Sequence, residues 1–123
     1  YERASQMSRL GSLERAGVRF AVHSDFTMAP AKPLNNAWIA ANRINESGEV
    51  MCPNERASLD AAIKAITSNA AFVLGLEDEI SSLRWGRQAD FTILEADPYD
   101  VGIDGLRDIP IWGTVFEGQK FQI

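Results

Sequence analysis

A short apolar run constrains the fold of this chain more than any other stretch. It covers residues 18–22, follows Gly17, and contains one polar side chain, that of Arg19. A half-exposed antiparallel strand would alternate between apolar and polar residues, whereas a strand buried on both faces of a parallel sheet reads as an almost continuous apolar run. We therefore predict that residues 18–22 form a buried parallel strand.

Helical patterns lie on both sides of this run. Apolar residues at spacings of three predict a helix over residues 2–15, and Gly17 is placed to end it as a left-handed cap. A second helix is predicted over residues 34–44. Helices joined to a short buried strand predict an α/β fold.

A third helix is the clearest in the sequence. Its apolar stripe runs over residues 59–74, with Ser58 as a good N-cap and Gly75 after its last turn. The polar residues 67–69 in its middle are unusual for a helix interior, because such side chains compete for backbone hydrogen bonds.

The pattern changes near residue 78, after an acidic connector. The later residues read as strands, namely residues 91–94, then 114–116 and 120–123 around Gly118. We therefore predict two parts, an α/β part over residues 1–78 and a β part over residues 79–123.

Composition excludes several classes of partner. The formal net charge is −5 and the sequence pI is about 4.8, so we expect binding to neither nucleic acid nor an anionic membrane surface. No apolar run approaches the roughly 20 residues that span a bilayer. The single cysteine, Cys52, cannot form an internal disulfide, which predicts a reducing, cytoplasmic location. The polar opening lacks an initial methionine, so we expect no signal peptide and a chain cut from a longer protein.

The candidate chemistry lies where the predicted strand ends. Asp25 follows His23 and Ser24 there, and α/β barrels keep their catalytic groups at the carboxyl ends of their strands. Asp25 could bind a divalent metal or take a proton from metal-bound water, or it could simply cap the following turn, which the residues alone favour. His23, the sole histidine, is better read as a packed or hydrogen-bonded side chain, because one histidine and one carboxylate do not make a metal site.

Several motifs, taken in order, resemble the amidohydrolase superfamily, in its amidohydrolase 3-like branch. Residues 17–25 resemble the eighth strand of its TIM barrel. AITSNAA at residues 65–71 and the motifs that follow it resemble the passage from the last barrel helix to a small β-sandwich, and GTVFEGQ at 113–119 resembles the terminal hairpin. Ser81 stands where the family usually has glycine, a departure that touches no chemistry.

This resemblance implies a fold and a site. It implies a partial (β/α)8 barrel segment, the last strand and its helices, over residues 1–78, and part of the small β-sandwich over residues 79–123. The family's matching aspartate ligates the metal and acts as base toward water, so Asp25 becomes the expected catalytic and metal-binding residue. A whole barrel takes about 250 residues, and the family's histidine ligands and its carboxylated lysine have no counterpart in this sequence.

The function implied by the resemblance is that of a carboxyl-terminal fragment of a metal-dependent amidohydrolase. The intact enzyme would hydrolyse an amide or other C–N bond of a small molecule, with zinc as the first choice of metal and iron or manganese as alternatives. We expect the fragment alone to be inactive, to bind metal poorly, and to self-associate through unpaired strands. The substrate stays open, because Phe26, Thr27 and Met28 could line a pocket or form a packed loop. A complete, non-enzymatic interaction or ligand-binding module is the competing interpretation.

Overall fold

The computed structural model describes residues 2–123 and mixes short helices with one small sheet. The helices are α1 (Glu2–Ser5), α2 (Leu10–Arg15), α3 (Pro33–Asn42), α4 (Leu59–Ala65), α5 (Ser68–Leu74) and α6 (Pro98–Gly105). The strands are β1 (Phe91–Leu94), β2 (Ile111–Phe116) and β3 (Gln119–Gln122), and single 3-10 turns lie at Pro53–Glu55 and Leu106–Asp108. The predicted α/β class is thus confirmed as a mixture of helix and sheet, while a barrel segment stays a prediction. No helix among residues 2–123 is long and apolar enough to cross a bilayer.

Residues 18–22, predicted as a buried strand of the kind found in parallel sheets, form no strand among the described residues, and Phe20 alone of the five is buried. The segment runs without helix, turn or bend, but it joins no sheet. Its backbone is held at two points, where the Val18 amide donates to the Leu13 carbonyl (2.9 Å) and the Val22 amide donates to the Ala65 carbonyl (3.2 Å). The physical reason is the lack of a neighbour, since the three strands of residues 2–123 pair with one another in the antiparallel order β1-β2-β3.

The predicted helix over residues 2–15 is interrupted at residues 6–9. Arg43, which follows α3 in a left-handed conformation, inserts its guanidinium group into this interruption. It donates hydrogen bonds of 2.6–3.0 Å to the carbonyls of Ser5, Met7 and Ser8. A continuous helix would use these carbonyls internally, so the arginine competes directly with helical hydrogen bonding.

Helix α2 packs closely against the Pro53–Glu55 turn, and Gly11 permits the approach. A Cβ atom at Gly11 would lie 2.6 Å from the Asn54 carbonyl oxygen, so no side chain fits there. The buried carboxylate of Glu55 joins the two elements by accepting hydrogen bonds from the Ser12 hydroxyl (2.6 Å) and the Ser12 amide (2.7 Å). Arg9 adds an ion pair of 3.4 Å. Gly11, which weakens the helix by itself, is therefore required by packing.

The ionised form of Glu55 should stabilise the fold, and acid should remove this contribution. The hydrogen bond from the Ser12 hydroxyl, helped by the Ser12 amide and by Arg9, lowers the pKa of Glu55 below its ordinary value. A carboxyl group whose pKa is lower in the folded state stabilises that state above the unfolded pKa and loses the contribution as pH falls through the folded pKa. As the pH is lowered below about 4.5, the denaturation midpoint should decrease more steeply for the native chain than for Glu55→Gln. Glu46→Gln, which alters an exposed carboxylate, should follow the native profile.

The predicted third helix has its expected ends but is broken in the middle. The Ser58 hydroxyl accepts the Ala61 amide at 3.1 Å, which confirms the N-cap, and Gly75 ends α5 with φ = 72°. Between α4 and α5, the Thr67 hydroxyl donates to the Ile63 carbonyl at 2.8 Å. The polar residues noted in the sequence thus mark the break, because a threonine hydroxyl competes with the helical backbone.

The β part follows the prediction, with one additional helix. Residues 91–94 form β1, and the hairpin β2–β3 turns at Glu117 and Gly118, whose φ values of 49° and 77° suit a tight type I′ turn. Helix α6 was not predicted. It begins after Asp97, whose carboxylate accepts the Tyr99 amide at 2.8 Å.

The core lies between α3, α4 and the Leu106–Asp108 turn. Leu106 is the largest fully buried side chain among the described residues, and it belongs to the same cluster as Trp38 of α3. The Trp38 indole donates to the Asp104 carbonyl at 3.0 Å, and the buried Asn42 amide donates to the Ile103 carbonyl at 2.9 Å. Helix α6 is therefore attached to α3 by apolar packing and by two hydrogen bonds.

Candidate functional site

The candidate site lies at the carboxyl end of residues 18–22. Both His23 and Asp25 are exposed there, and the Asp25 amide donates to Nδ1 of His23 at 3.0 Å. Asp25 has φ = 51°, a left-handed conformation that few residues other than glycine adopt, although aspartate is enriched among them. Local contacts between neighbouring residues thus orient Asp25 where the straight segment ends.

The carboxylate of Asp25 does not cap the turn that follows it. The turn is closed by the main chain, because the Met28 amide donates to the Asp25 carbonyl at 2.7 Å. Within residues 2–123 the Asp25 carboxylate makes no hydrogen bond or ion pair, and its side chain faces solvent. The structure therefore gives no support to the capping role, and the catalytic and metal-binding role of Asp25 stays a prediction.

His23 has a structural contact, as predicted. Its Nδ1 atom accepts the Asp25 amide, so the neutral ring carries its proton on Nε2. The side chain is hydrogen-bonded rather than packed, because it is exposed.

Two depressions flank the candidate site. A cleft of about 560 Å³ lies between the α1–α2 region and α3, and a smaller hollow of about 190 Å³ lies beside α5. His23 and Asn36 border both, and Lys32 borders the smaller one. Sequence reasoning did not identify Asn36 or Lys32, because tertiary packing of α3 brings them beside His23 and no local motif marks them.

The loop after Asp25 is not packed. Phe26 is 72% exposed and Met28 is 83% exposed, and Thr27 between them is exposed as well. None of the three borders either depression. The packed-loop interpretation is therefore wrong for this chain, and a pocket-lining role stays a prediction.

The donor set of this chain does not amount to a metal centre. No group of three or more histidine, cysteine, aspartate or glutamate side chains within residues 2–123 could hold a metal ion. Asp25 offers one carboxylate, while the nearby His23 turns its Nδ1 to the backbone. A stable site generally needs three or four protein ligands.

A second cluster of titratable groups lies on the surface of α4. Lys64 forms an ion pair of 2.6 Å with Asp60, and the Tyr99 hydroxyl contacts the same carboxylate at 3.3 Å. The hydrogen bond from Lys64 lowers the pKa of Asp60, and burial raises the pKa of Tyr99. Because Lys64 and Asp60 are one helical turn apart and exposed, the cluster is a surface ion pair that also holds α6.

The family comparison covers almost the whole chain. The model of a family described as "Amidohydrolase family" matches residues 1–121. This chain belongs to the amidohydrolase family. The resemblance expected from the motifs is thereby confirmed.

Curated relatives agree with this assignment. The chain is 30% identical over 107 residues to an N-substituted formamide deformylase of Arthrobacter pascens, covering 87% of this chain and 20% of the relative. It is 30% identical over 112 residues to an imidazolonepropionase of Shewanella baltica (strain OS185), covering 87% and 26%. It is 35% identical over 101 residues to Protein LONG AFTER FAR-RED 3 of Arabidopsis thaliana, covering 80% and 17%. The chain thus spans about a quarter or less of the length of these relatives, and no solved structure matches it significantly.

Proposed function

We propose that this chain is the carboxyl-terminal part of a metal-dependent amidohydrolase that hydrolyses an amide or other C–N bond of a small molecule. The observation that carries the proposal is the Asp25 carboxylate, which is exposed and without a partner among residues 2–123 in a chain of the amidohydrolase family. Two relatives support the substrate class, because their names describe action on an N-substituted formamide and on imidazolonepropionate.

Asp25 would provide one ligand and one proton acceptor. Members of this family are generally metal-dependent, and a bound metal ion would supply an activated water molecule. Zinc is the first choice because it accepts nitrogen and oxygen ligands, with iron or manganese as alternatives. A carboxylate that makes no internal hydrogen bond is free to take the proton of an attacking water molecule.

The proposal includes the division of the chain and its location. Residues 1–78 would be the last barrel strand with its helices, and residues 79–123 would be part of the small β-sandwich. The antiparallel sheet lies wholly within the second range, which supports this division. Cys52 is a free thiol, which is consistent with a reducing cytoplasm.

The isolated chain should show no hydrolase turnover, because it holds one candidate ligand. We expect no formate release from an N-substituted formamide when the purified chain is supplied with zinc, manganese or iron(II). A second test is to determine the coding sequence that flanks this chain in the same reading frame. It should encode a His-x-His motif after a strand. Turnover by the 123-residue chain would overturn the inactivity, and a flanking sequence without such ligands would overturn the hydrolase proposal.

Self-association also belongs to this proposal. Unpaired strand edges recruit other chains, and the straight segment at residues 18–22 has no strand beside it.

A further inference from the structure

A histidine side chain holds the backbone that leads into Asp25. Nδ1 of His23 accepts the Asp25 amide at 3.0 Å, two residues further along the chain. Hydrogen bonds over this span usually come from the Oδ1 atom of asparagine or aspartate, in an Asx turn. In histidine the Nδ1 atom has the same place in the side chain as that oxygen, because both atoms are bonded to Cγ. His23 therefore makes the hydrogen bond of an Asx turn.

The backbone of Asp25 needs such support. Its φ of 51° is left-handed, and this conformation brings Cβ close to the following carbonyl oxygen in every residue except glycine. Two hydrogen bonds hold it, since the Asp25 amide donates to His23 and the Asp25 carbonyl accepts the Met28 amide at 2.7 Å. Together they fix the peptide groups on both sides of the Asp25 Cα atom. They therefore set the direction in which its side chain leaves the main chain.

The Asp25 carboxylate has no direct support of its own. It makes no hydrogen bond or ion pair within residues 2–123. Its position in the described chain is thus set through the main chain, and His23 provides the one side-chain contact in that arrangement. A general base must lie within hydrogen-bond reach of the proton that it takes, so a change in the Asp25 backbone would move the base away from its target.

The arrangement is local. All of its atoms lie within residues 23–28, so it is formed without any element that a longer relative would add. Nε2 of His23 makes no hydrogen bond within residues 2–123, whereas Nδ1 is engaged. The two ring nitrogens therefore offer two different roles, support of Asp25 through Nδ1 or a direct contact through Nε2, and the geometry favours the first.

We propose that His23 is a positioning residue for hydrolysis, whose Nδ1 atom holds the Asp25 main chain so that the carboxylate is oriented to accept a proton. This inference rests on the proposed function, in which Asp25 is the proton acceptor. His23 acts through Asp25 and need not touch the substrate. The loss of one neutral hydrogen bond is worth roughly tenfold, and the displacement of a reacting group by about 1 Å can cost about 100-fold.

Two uncharged substitutions separate the two ring nitrogens. His23→Asn keeps an acceptor bonded to Cγ, in the place of Nδ1, whereas His23→Gln moves the acceptor one bond further out, near the place of Nε2. Because His23 is exposed, neither variant should change the far-UV circular dichroism. In the longer enzyme to which this chain would belong, His23→Gln should lower kcat by about 10–100-fold with KM unchanged. His23→Asn should stay within about threefold of native turnover, because it restores the hydrogen bond.

The hydrogen bond can also be measured without any activity. In the 15N-labelled 123-residue chain, in mildly alkaline buffer, we expect a scalar coupling across the hydrogen bond between the Asp25 amide nitrogen and Nδ1 of His23. The Asp25 amide should exchange with solvent at the native rate in His23→Asn and roughly tenfold faster in His23→Gln.

Asp25→Asn distinguishes failure of this inference from failure of the proposed function. Native turnover in Asp25→Asn would overturn the proposed function, and His23 would then have no base to position. If Asp25→Asn loses turnover, three results would overturn the positioning role alone. These are equal turnover in the two His23 variants, higher turnover in His23→Gln than in His23→Asn, and absence of the scalar coupling in the native chain.

Discussion

Replacing Asp25 with asparagine should lower the turnover number of the longer enzyme proposed above by about 10²–10⁴-fold, the range typical for loss of a general base. Asparagine keeps the size of the side chain and tolerates the left-handed conformation that Asp25 adopts at φ = 51°. The Met28 hydrogen bond goes to the main-chain carbonyl, so it survives the substitution. The expected loss is therefore chemical, and formate release from an N-substituted formamide measures it.

The matched control is Asp108→Asn. The Asp108 side chain is 76% exposed and contacts only Arg107 among the described ion pairs, so this variant should retain native turnover. The bound metal should also be measured, because a lost ligand lowers the metal content whereas a lost base alone does not. An Asp25→Asn enzyme with native turnover would exclude the proposed role and leave Asp25 as a residue of the turn.

Replacing Leu106 with alanine should destabilise the isolated chain by about 2–5 kcal/mol, the cost of deleting a large buried side chain and leaving a cavity. Leu106 is fully buried in the same core cluster as Trp38, although the two residues are far apart in the chain. The loss would be large relative to the total stability of a small domain, about 5–15 kcal/mol. Urea denaturation followed by tryptophan fluorescence measures it.

Leu83→Ala makes the same chemical change at a leucine that is 87% exposed. It should alter the free energy of unfolding by no more than about 0.5 kcal/mol. Equal losses in the two variants would mean that Leu106 is not part of the core in solution. A loss confined to Leu106→Ala would confirm that the residues after 78 stabilise the helices before it.

Local signals in the sequence predicted the ends of elements best. Ser58, Gly75 and the Glu117–Gly118 turn act within a few residues of themselves, and each was found where it was predicted. Two helices were predicted too long, because a side-chain hydrogen bond to a backbone carbonyl interrupts each of them. The two hydrogen bonds differ in how many residues they span. Thr67 bonds to a carbonyl four residues away and could be suspected, whereas Arg43 reaches back about 35 residues and could not.

The candidate site was found only in part, for a similar reason. Asp25 stood out because it follows an apolar run, and its family context came from motifs spread over the whole chain. Lys32 and Asn36 carry no such mark, and helix packing alone places them around His23. The depressed pKa of Glu55 likewise depends on Ser12 and Arg9, more than 40 residues away.

The sequence by itself determined the apolar run of residues 18–22, its polar end at Asp25, and membership of the amidohydrolase family. These features can be read from the order of the residues alone. Only the tertiary structure decided that the run joins no sheet among the described residues. A strand is stabilised by hydrogen bonds to its neighbours, and no apolar pattern can show whether a neighbour is present.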